Sequence, residues 1–450
     1  DTIAAIATAR GEAGIGIVRL SGAQALPLLE RHFHPADPNW RPDSHRMTYG
    51  WMHDAQGARL DEVMAVWFQA PRSYTAEDVV EVHTHGGAVA VRQALATFLN
   101  SGARLAEPGE MTLRAFLNGR LDLAQAEAVL DVVQARTEVG MQAAVEQLGG
   151  ALSQEIRAAR QALLEVLAHL TATLDFPEDD VPAQDISPEL EAVAGTLAGL
   201  LENASRGRLL REGLRVAIVG RPNVGKSSLL NRLLRQERAI VTDIPGTTRD
   251  LVEETLNLRG IPLVLTDTAG IRQTTDLVEA LGVARTHNAL AQAELVLFVI
   301  DVSQPLHEEE KALAERLAHR PVVVIENKDD LTNGIVPPSA PILPGKPHVR
   351  LSALTGEGID DLEETVWELV MGGNVDTNEA FRVTNPRHAQ AIRAALGHVR
   401  EAIQGAQQGM PADFLTIDLH AAGKELGEST GEQASEQLLD AIFSRFCIGK

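Results

Sequence analysis

With 450 residues, 40 basic against 62 acidic side chains and a formal net charge of −22, the chain is long enough for about two to four domains. It is too acidic for a broad nucleic-acid-binding surface, although a local basic groove is not excluded. No run approaches the ~18–20 apolar residues of a membrane span, and no basic and apolar secretory signal opens the chain. The one cysteine, Cys447, excludes an intrachain disulfide and points to a reducing, cytoplasmic setting.

Residues 1–118 read as an α+β domain. A strand at 16–20 leads to a helix over 23–32 with Ser21 as its cap. Strand-like runs follow at 46–53, 60–69 and 77–85, then a helix at 89–100. Gly11-x-x-Gly14-x-Gly16 is no dinucleotide fingerprint, because it precedes its strand. His83 and His85 could be two metal ligands on one strand face, but no cysteine and no clear third ligand stand nearby, so ordinary strand histidines are the better reading. From 121 to about 211, apolar residues recur at three- and four-residue spacings, which predicts helices. Phe176-Pro177 ends one of them, 178–180 read as a solvated acidic loop, and Ser187-Pro188 reads as the start of a helix reaching about 210. Residues 385–407 and 432–446 are helical again. The pattern predicts a discontinuous helical domain, 119–212 and 374–450, split by a nucleotide-binding domain at 213–373.

The insert carries the chemistry. A buried strand at 216–219 breaks into Gly220-Arg-Pro-Asn-Val-Gly225-Lys226-Ser227, and a helix follows at once: a P-loop in its strand–loop–helix context. Glycines admit consecutive backbone N–H groups, over Asn223, Val224, Gly225, Lys226, Ser227 and Ser228, to phosphate oxygens, and the helix N-terminus adds positive potential. Lys226 is placed for the β/γ-phosphates and the Ser227 hydroxyl for Mg²⁺. Next comes Thr242-Asp243-Ile244-Pro245-Gly246-Thr247-Thr248, in which Thr248 is the choice for a second Mg²⁺ ligand. A strand at 263–266 delivers Asp267-Thr268-Ala269-Gly270, with Asp267 near the metal and the Gly270 N–H for the γ-phosphate. Strands at 295–301 and 321–326 lead to Asn327-Lys328-Asp329-Asp330. The Asp330 carboxylate could accept from N1–H and N2–H₂ of guanine, donors that adenine lacks there. Ser352-Ala353-Leu354 would supply a backbone contact to the base oxygen. Five such elements in order predict a Ras-like, GTP-binding fold. Ile271 stands where signalling GTPases carry the water-orienting glutamine, so another polar group must serve. Asn223 reads equally as a turn former or as the ligand of a monovalent cation that offsets developing charge.

These motifs, GRPNVGKSSLLN at 220–231, VTDIPGTTRD at 241–250, DTAGIR at 267–272 and the Asn-Lys-x-Asp element, resemble the MnmE (TrmE) family of bacterial and organellar tRNA-modification GTPases. GIGIVRLSG at 14–22, THGG at 84–87, PGEMTLRAFLNGRLDLAQAEAV at 108–129, DFPEDD at 175–180 and the terminal Phe446-Cys-Ile-Gly-Lys450 extend the resemblance over the whole chain. The resemblance implies an N-terminal domain that dimerises and binds a one-carbon donor of the 5-formyl- or methylene-tetrahydrofolate type. Arg19, Glu81 and Lys450 match its site, with Arg120 where the family has lysine. It implies a homodimer whose G domains meet across their nucleotide faces, with K⁺ at Asn223, Thr242, Ile244 and Thr247. Glu279 would orient the attacking water alongside Lys226 and Thr248; on its own it reads as an acid favoured by a helix dipole. It implies work with the FAD protein MnmG (GidA) on the wobble uridine of tRNA, position 34, adding a carboxymethylaminomethyl or aminomethyl group at carbon 5. Cys447 belongs to that function; by chemistry alone it is an exposed thiol. A ribosome-assembly or translation GTPase is the alternative, and it predicts an appended GXXG-type RNA-binding domain where this chain has helices and CIGK.

Overall fold

The computed structural model describes residues 1–9, 11–175, 185–236, 254–265, 290–332, 342–372 and 381–450. The N-terminal part runs β1 (Ile3–Ile6), β2 (Ala13–Ser21), α1 (Ala25–His32), β3 (Phe33–Pro35), β4 (Thr48–His53), β5 (Arg59–Phe68), β6 (Val79–Gly86), α2 (Ala88–Asn100) and β7 (Arg104–Leu105). Its sheet has the order β3-β4-β5-β6-β2-β1-β7, with β1 and β7 the parallel pair. Period-two alternation sets the faces. Val80 and Val82 of β6 join Val18, Leu20 and Phe98 in the core, while Glu81 and His83 turn to the other face, with Glu81 directly opposite Arg19. Ser21 does not cap α1. It ends β2, its hydroxyl 2.6 Å from that of Thr75 and donating to Glu77 at 2.7 Å, and α1 starts after Gln24 without a side-chain cap. His83 and His85 face Glu81 and Asp61 at 3.3 and 2.7 Å.

The helical segment is α3 (Glu110–Leu117), α4 (Leu123–Gln134), α5 (Glu138–Leu148), α6 (Ala151–Asp175), α7 (Ser187–Glu202) and α8 (Ala204–Glu212). A capping box between Asp122 and Gln125 starts α4. The helix expected to run unbroken to about 210 is two helices, divided at Asn203. Ser187 does not cap α7 with its side chain; its own N–H donates to Asp185 at 3.0 Å.

The nucleotide-binding part follows as β8 (Leu214–Val219), α9 (Lys226–Gln236), β9 (Glu254–Leu258), β10 (Ile261–Leu265), β11 (Leu295–Asp301), α10 (Glu308–Leu317), β12 (Val322–Asn327), β13 (His348–Leu351) and α11 (Ile359–Met371). The sheet order is β13-β12-β11-β8-β10-β9, parallel except for the β9–β10 hairpin. Its central strands β8, β10, β11 and β12 are apolar almost without alternation because both faces are covered, whereas the edge strands β9 and β13 alternate. Val216 and Ile218 belong to one core, and Ala217 and Val219 to the other.

The chain then returns through α12 (Pro386–Gln407), α13 (Ala412–Thr430) and α14 (Glu436–Phe443). α13 has no counterpart among the helices expected from the sequence, and α14 is shorter at both ends than the expected 432–446. Leu415, Leu419, Ala422 and Leu426 nevertheless form a buried stripe along α13. Segments on either side of the nucleotide-binding sheet share cores: Leu152, Leu163 and Leu190 with Ile392 and Leu419, and Ala115 and Leu123 with Phe443 and Phe446.

One buried carboxylate ties these segments together. Glu127 of α4 accepts from Asn385 Nδ2 at 2.9 Å, Arg387 Nη2 at 2.5 Å and His388 Nε2 at 2.7 Å. Burial alone would raise its pKa, but the His388 hydrogen bond and the Arg387 charge hold it far below the usual carboxylate range. Burial pushes the fully enclosed His388 toward neutrality. The Thr384 hydroxyl donates to Gln147 Oε1, which presents Gln147 Nε2 to His388 Nδ1, so the His388 proton sits on Nε2 and points at Glu127. Glu127→Ala would leave the half-buried Arg387 without its counter-charge and the buried His388 without its acceptor, a change expected to cost about 3–5 kcal/mol. Urea unfolding followed by circular dichroism, with amide exchange over 386–407, measures it; an unchanged midpoint and unchanged protection would contradict the assignment.

Candidate functional site

The P-loop leaves β8 through two glycines that a side chain could not replace. A Cβ on Gly220 (φ +152°) would lie 2.2 Å from the Val299 carbonyl oxygen, and one on Gly225 (φ +101°) 2.1 Å from Asn327 Nδ2. Asn223 is left-handed at φ +63° with its side chain exposed, Val224 is buried, and Lys226, Ser227 and Ser228 open α9. The Lys226 ammonium folds back onto the Gly220 and Arg221 carbonyl oxygens at 2.8 and 2.6 Å. Burial pushes its pKa down to about 8. A cradle closed to side chains and a desolvated ammonium suit a phosphate chain.

Asn327, buried at the end of β12, joins this loop to the next. Its Nδ2 donates to the Val224 carbonyl at 2.7 Å, and its Oδ1 accepts from Ala353 N–H at 3.0 Å. Lys328 (φ +67°) spans back to Asp301 Oδ2 at 2.7 Å, and Asp330 is exposed on the single turn that follows. Ser352 is buried and Leu354 is 77% exposed. The P-loop, Asn327 to Asp330 and Ser352 to Leu354 therefore meet at the carboxyl ends of β8, β12 and β13, where ligands of parallel sheets bind. Thr242 to Thr248, Asp267 to Gly270, Ile271 and Glu279 lie outside the described residues.

A second cluster sits on the N-terminal sheet. Arg19 pairs with Glu81 at 2.8 Å and reaches the Gly449 carbonyl at 3.4 Å. The Arg19 guanidinium carbon lies 5.4 Å from the centre of the Tyr74 ring and that of Arg120 5.0 Å, with Arg120 also donating to the Tyr74 carbonyl at 2.9 Å. The C-terminal tail closes the cluster. Ile448 bridges to Pro108, Gly449 packs against Ile6 so that a Cβ would lie 2.3 Å from its carbonyl oxygen, and Lys450 lies beside Arg19 and Glu81. Burial first, and the Arg19 charge second, push the Lys450 amine below its ordinary range. Cys447 is exposed on the same tail. A carboxylate acceptor, an aromatic face and three cationic side chains suit a flat heterocycle with hydrogen-bond donors and a carboxylate tail. Arg19, Glu81, Arg120 and Lys450, far apart in sequence, are thus neighbours. Tyr74 was missed, because nothing in its local sequence marks it.

Residues 123–447 match the family described as the MnmE helical domain, and residues 2–120 the N-terminus of the GTP-binding protein TrmE. The tRNA modification GTPase MnmE of Chloroflexus aurantiacus is 51% identical over 451 residues, covering 100% of both chains. That of Roseiflexus sp. (strain RS-1) is 50% identical over 464 residues, covering 100% of this chain and 99% of its own. Among solved structures, the G domain of the T. maritima FeoB iron transporter aligns at 27% identity over 35% of this chain and 98% of that one, with a TM-score of 0.24.

The depressed Lys226 pKa has a measurable consequence. Phosphate oxygens favour the charged amine, so nucleotide binding raises its pKa from about 8. At a pH slightly above 8 binding should take up a proton, and affinity should fall as pH rises through that value. Calorimetry in two buffers of different ionisation enthalpy reads the uptake, and zero uptake would contradict the placement of Lys226.

Proposed function

The chain belongs to the MnmE family of tRNA-modification GTPases, and on that premise we propose that it modifies carbon 5 of the wobble uridine by joining a folate site to a GTP-driven switch. It is a GTP hydrolase of tRNA modification. What supports the finer reading above all is the convergence of Arg19, Glu81, Arg120 and Lys450 around Tyr74. Tetrahydrofolate would supply the one-carbon unit there. Glu81 would accept from its pterin N–H groups, Tyr74 would lie against its ring, and Arg120 and Lys450 would hold its carboxylates. Cys447, exposed three residues from Lys450, is then the nucleophilic side chain nearest this site on the tail. MnmG is the partner and the chain acts as a homodimer through its N-terminal part.

At the nucleotide, Lys226 holds the β/γ-phosphates and Asp330 reads guanine. Mg²⁺, held by Ser227 and Thr248 with Asp267 nearby, and K⁺, held by Asn223 with Thr242, Ile244 and Thr247, would neutralise phosphate charge. The exposed, left-handed Asn223 leaves its amide oxygen available for that role. Glu279 orients water in place of the glutamine that Ile271 displaces, and the backbone of Val224, Gly225 and Ser228, with Thr268, Ala269 and Gly270, completes the phosphate cradle.

Three outcomes test this reading. GTP turnover should be about 10²–10³ faster in K⁺ than in Na⁺, and Asn223→Ala should erase that difference; equal rates in both salts with the unsubstituted chain would remove the cation from the mechanism. Asp330→Asn should weaken GTP and favour xanthosine triphosphate, whose second carbonyl matches the new amide, and a retained GTP preference would mean that Asp330 does not read the base. Gly449→Ala must move the tail off Ile6, so equilibrium dialysis should show 5-formyl-tetrahydrofolate binding weakened by about tenfold or more. Undiminished binding would take the tail out of the folate site.

A further inference from the structure

Arg232 lies on α9, the helix that the P-loop opens, two turns beyond Lys226, and it does not reach toward the phosphate cradle. Its Nε donates to the Ala353 carbonyl at 3.3 Å and its Nη2 donates to the Leu354 carbonyl. Gly356 lies flat against the same guanidinium: a Cβ there would sit 3.2 Å from the Arg232 Cζ. The two carbonyls belong to the stretch assigned above to contact with the base oxygen.

The contacts close a ring. Asn327 holds the Ala353 N–H from one side and the Val224 carbonyl of the P-loop from the other. Arg232 holds the Ala353 carbonyl and is covalently continuous with the P-loop through α9. Both polar groups of the Ala353 backbone are therefore fixed, the N–H by Asn327 at the end of β12 and the carbonyl by Arg232 of α9. In a trans peptide, C=O and N–H point in opposite directions. With the Ala353 carbonyl drawn to Arg232, the Leu354 N–H of the same peptide plane points away from α9. The Ala353 N–H is already engaged by Asn327, which leaves the Leu354 N–H as the donor that this loop can offer. Leu354 itself is 77% exposed, so its side chain does little to set that orientation.

We propose that Arg232 is a positioning residue for guanine recognition, which acts by fixing the Ala353–Leu354 peptide so that its N–H is presented to the base oxygen. This rests on the reading of residues 352–354 as the base loop. Arg232 touches neither phosphate nor base in this arrangement. Its contribution is to pre-orient a donor that a free loop would have to order on binding. Lysine at this position would keep one donor and lose the planar fork that spans two carbonyls.

The test compares the full-length protein with Arg232→Ala and Arg232→Lys, using GDP and the diphosphate of 2-aminopurine riboside, which has no oxygen at carbon 6. For Arg232→Ala, GDP affinity should fall about tenfold, the order expected for one lost hydrogen bond, while the affinity for the 2-aminopurine nucleotide changes little. The KM for GTP should rise by a similar factor with kcat little altered, and Arg232→Lys should fall between. Equal weakening of both nucleotides would show a general structural role and overturn the proposal, as would undiminished GDP affinity in Arg232→Ala. If the unsubstituted protein itself binds the two nucleotides equally, the base-loop assignment fails first, and the proposal fails with it.

Discussion

The fold depends on burying one charge well. Glu127 lies within the helical core, where an unpaired carboxylate would be untenable, and the groups that satisfy it come from more than 250 residues further along the chain: Asn385, Arg387 and His388. All three arrive where the chain re-enters the helices after the nucleotide-binding part. Arg387 continues across to the Glu428 and Ser429 carbonyls at 3.0 and 3.2 Å, so the end of α13 is held by the same side chain. A buried ion pair of this kind contributes little net stability compared with an apolar substitute, because desolvation offsets the attraction. What it does supply is register. Leucines and alanines could slide along one another, whereas a carboxylate that needs three particular donors accepts one alignment of α12 on α4.

This division between apolar filling and polar register explains what could be read from the sequence. The parallel strands of the nucleotide-binding sheet announced themselves as apolar runs, and β11 was bounded correctly to the residue. The P-loop was legible because its chemistry is local: glycine where a Cβ would strike a carbonyl, lysine and serine where a helix starts. α13 was not legible. Gly423 and Gly427 weaken its helical signal, and its stripe becomes decisive only against α6 and α12. The division of α7 from α8 at Asn203 was equally hidden, since both have the same periodicity.

The two candidate sites differ in the same way. Phosphate binding is built from consecutive residues, so a motif records it. The cluster around Tyr74 is built from one strand position on β2, its cross-strand partner on β6, the turn before α4 and the last residue of the sequence, and no local pattern records such a meeting. Resemblance supplied four of its members. It did not supply the aromatic ring that both guanidinium groups approach, nor the approach of Gly449 to Ile6 that brings the tail in.

One helix sets the position of both sites. α4 begins immediately after Arg120 and Asp122, beside the Tyr74 cluster, and carries Glu127 and Asp131 one turn apart on a buried face. Glu127 holds the segment that returns from the nucleotide-binding part. Asp131 accepts from Arg211 at 2.7 Å, two residues before the chain enters that part at Gly213. Arg208, one turn earlier on α8, reaches the opposite way to Glu294 at 2.6 Å, just ahead of β11. Outgoing and returning chain are thus both fastened to α4 by charge. The Asp131 Oδ2 is buried with no partner among the described residues, and burial raises the pKa of this group despite the nearby Arg211. Such a pair is costly, and an apolar contact would stabilise the junction as well. Its retention makes sense as geometry: it holds the root of β8, and with it the P-loop, at a fixed place relative to the helix on which the Tyr74 cluster is built.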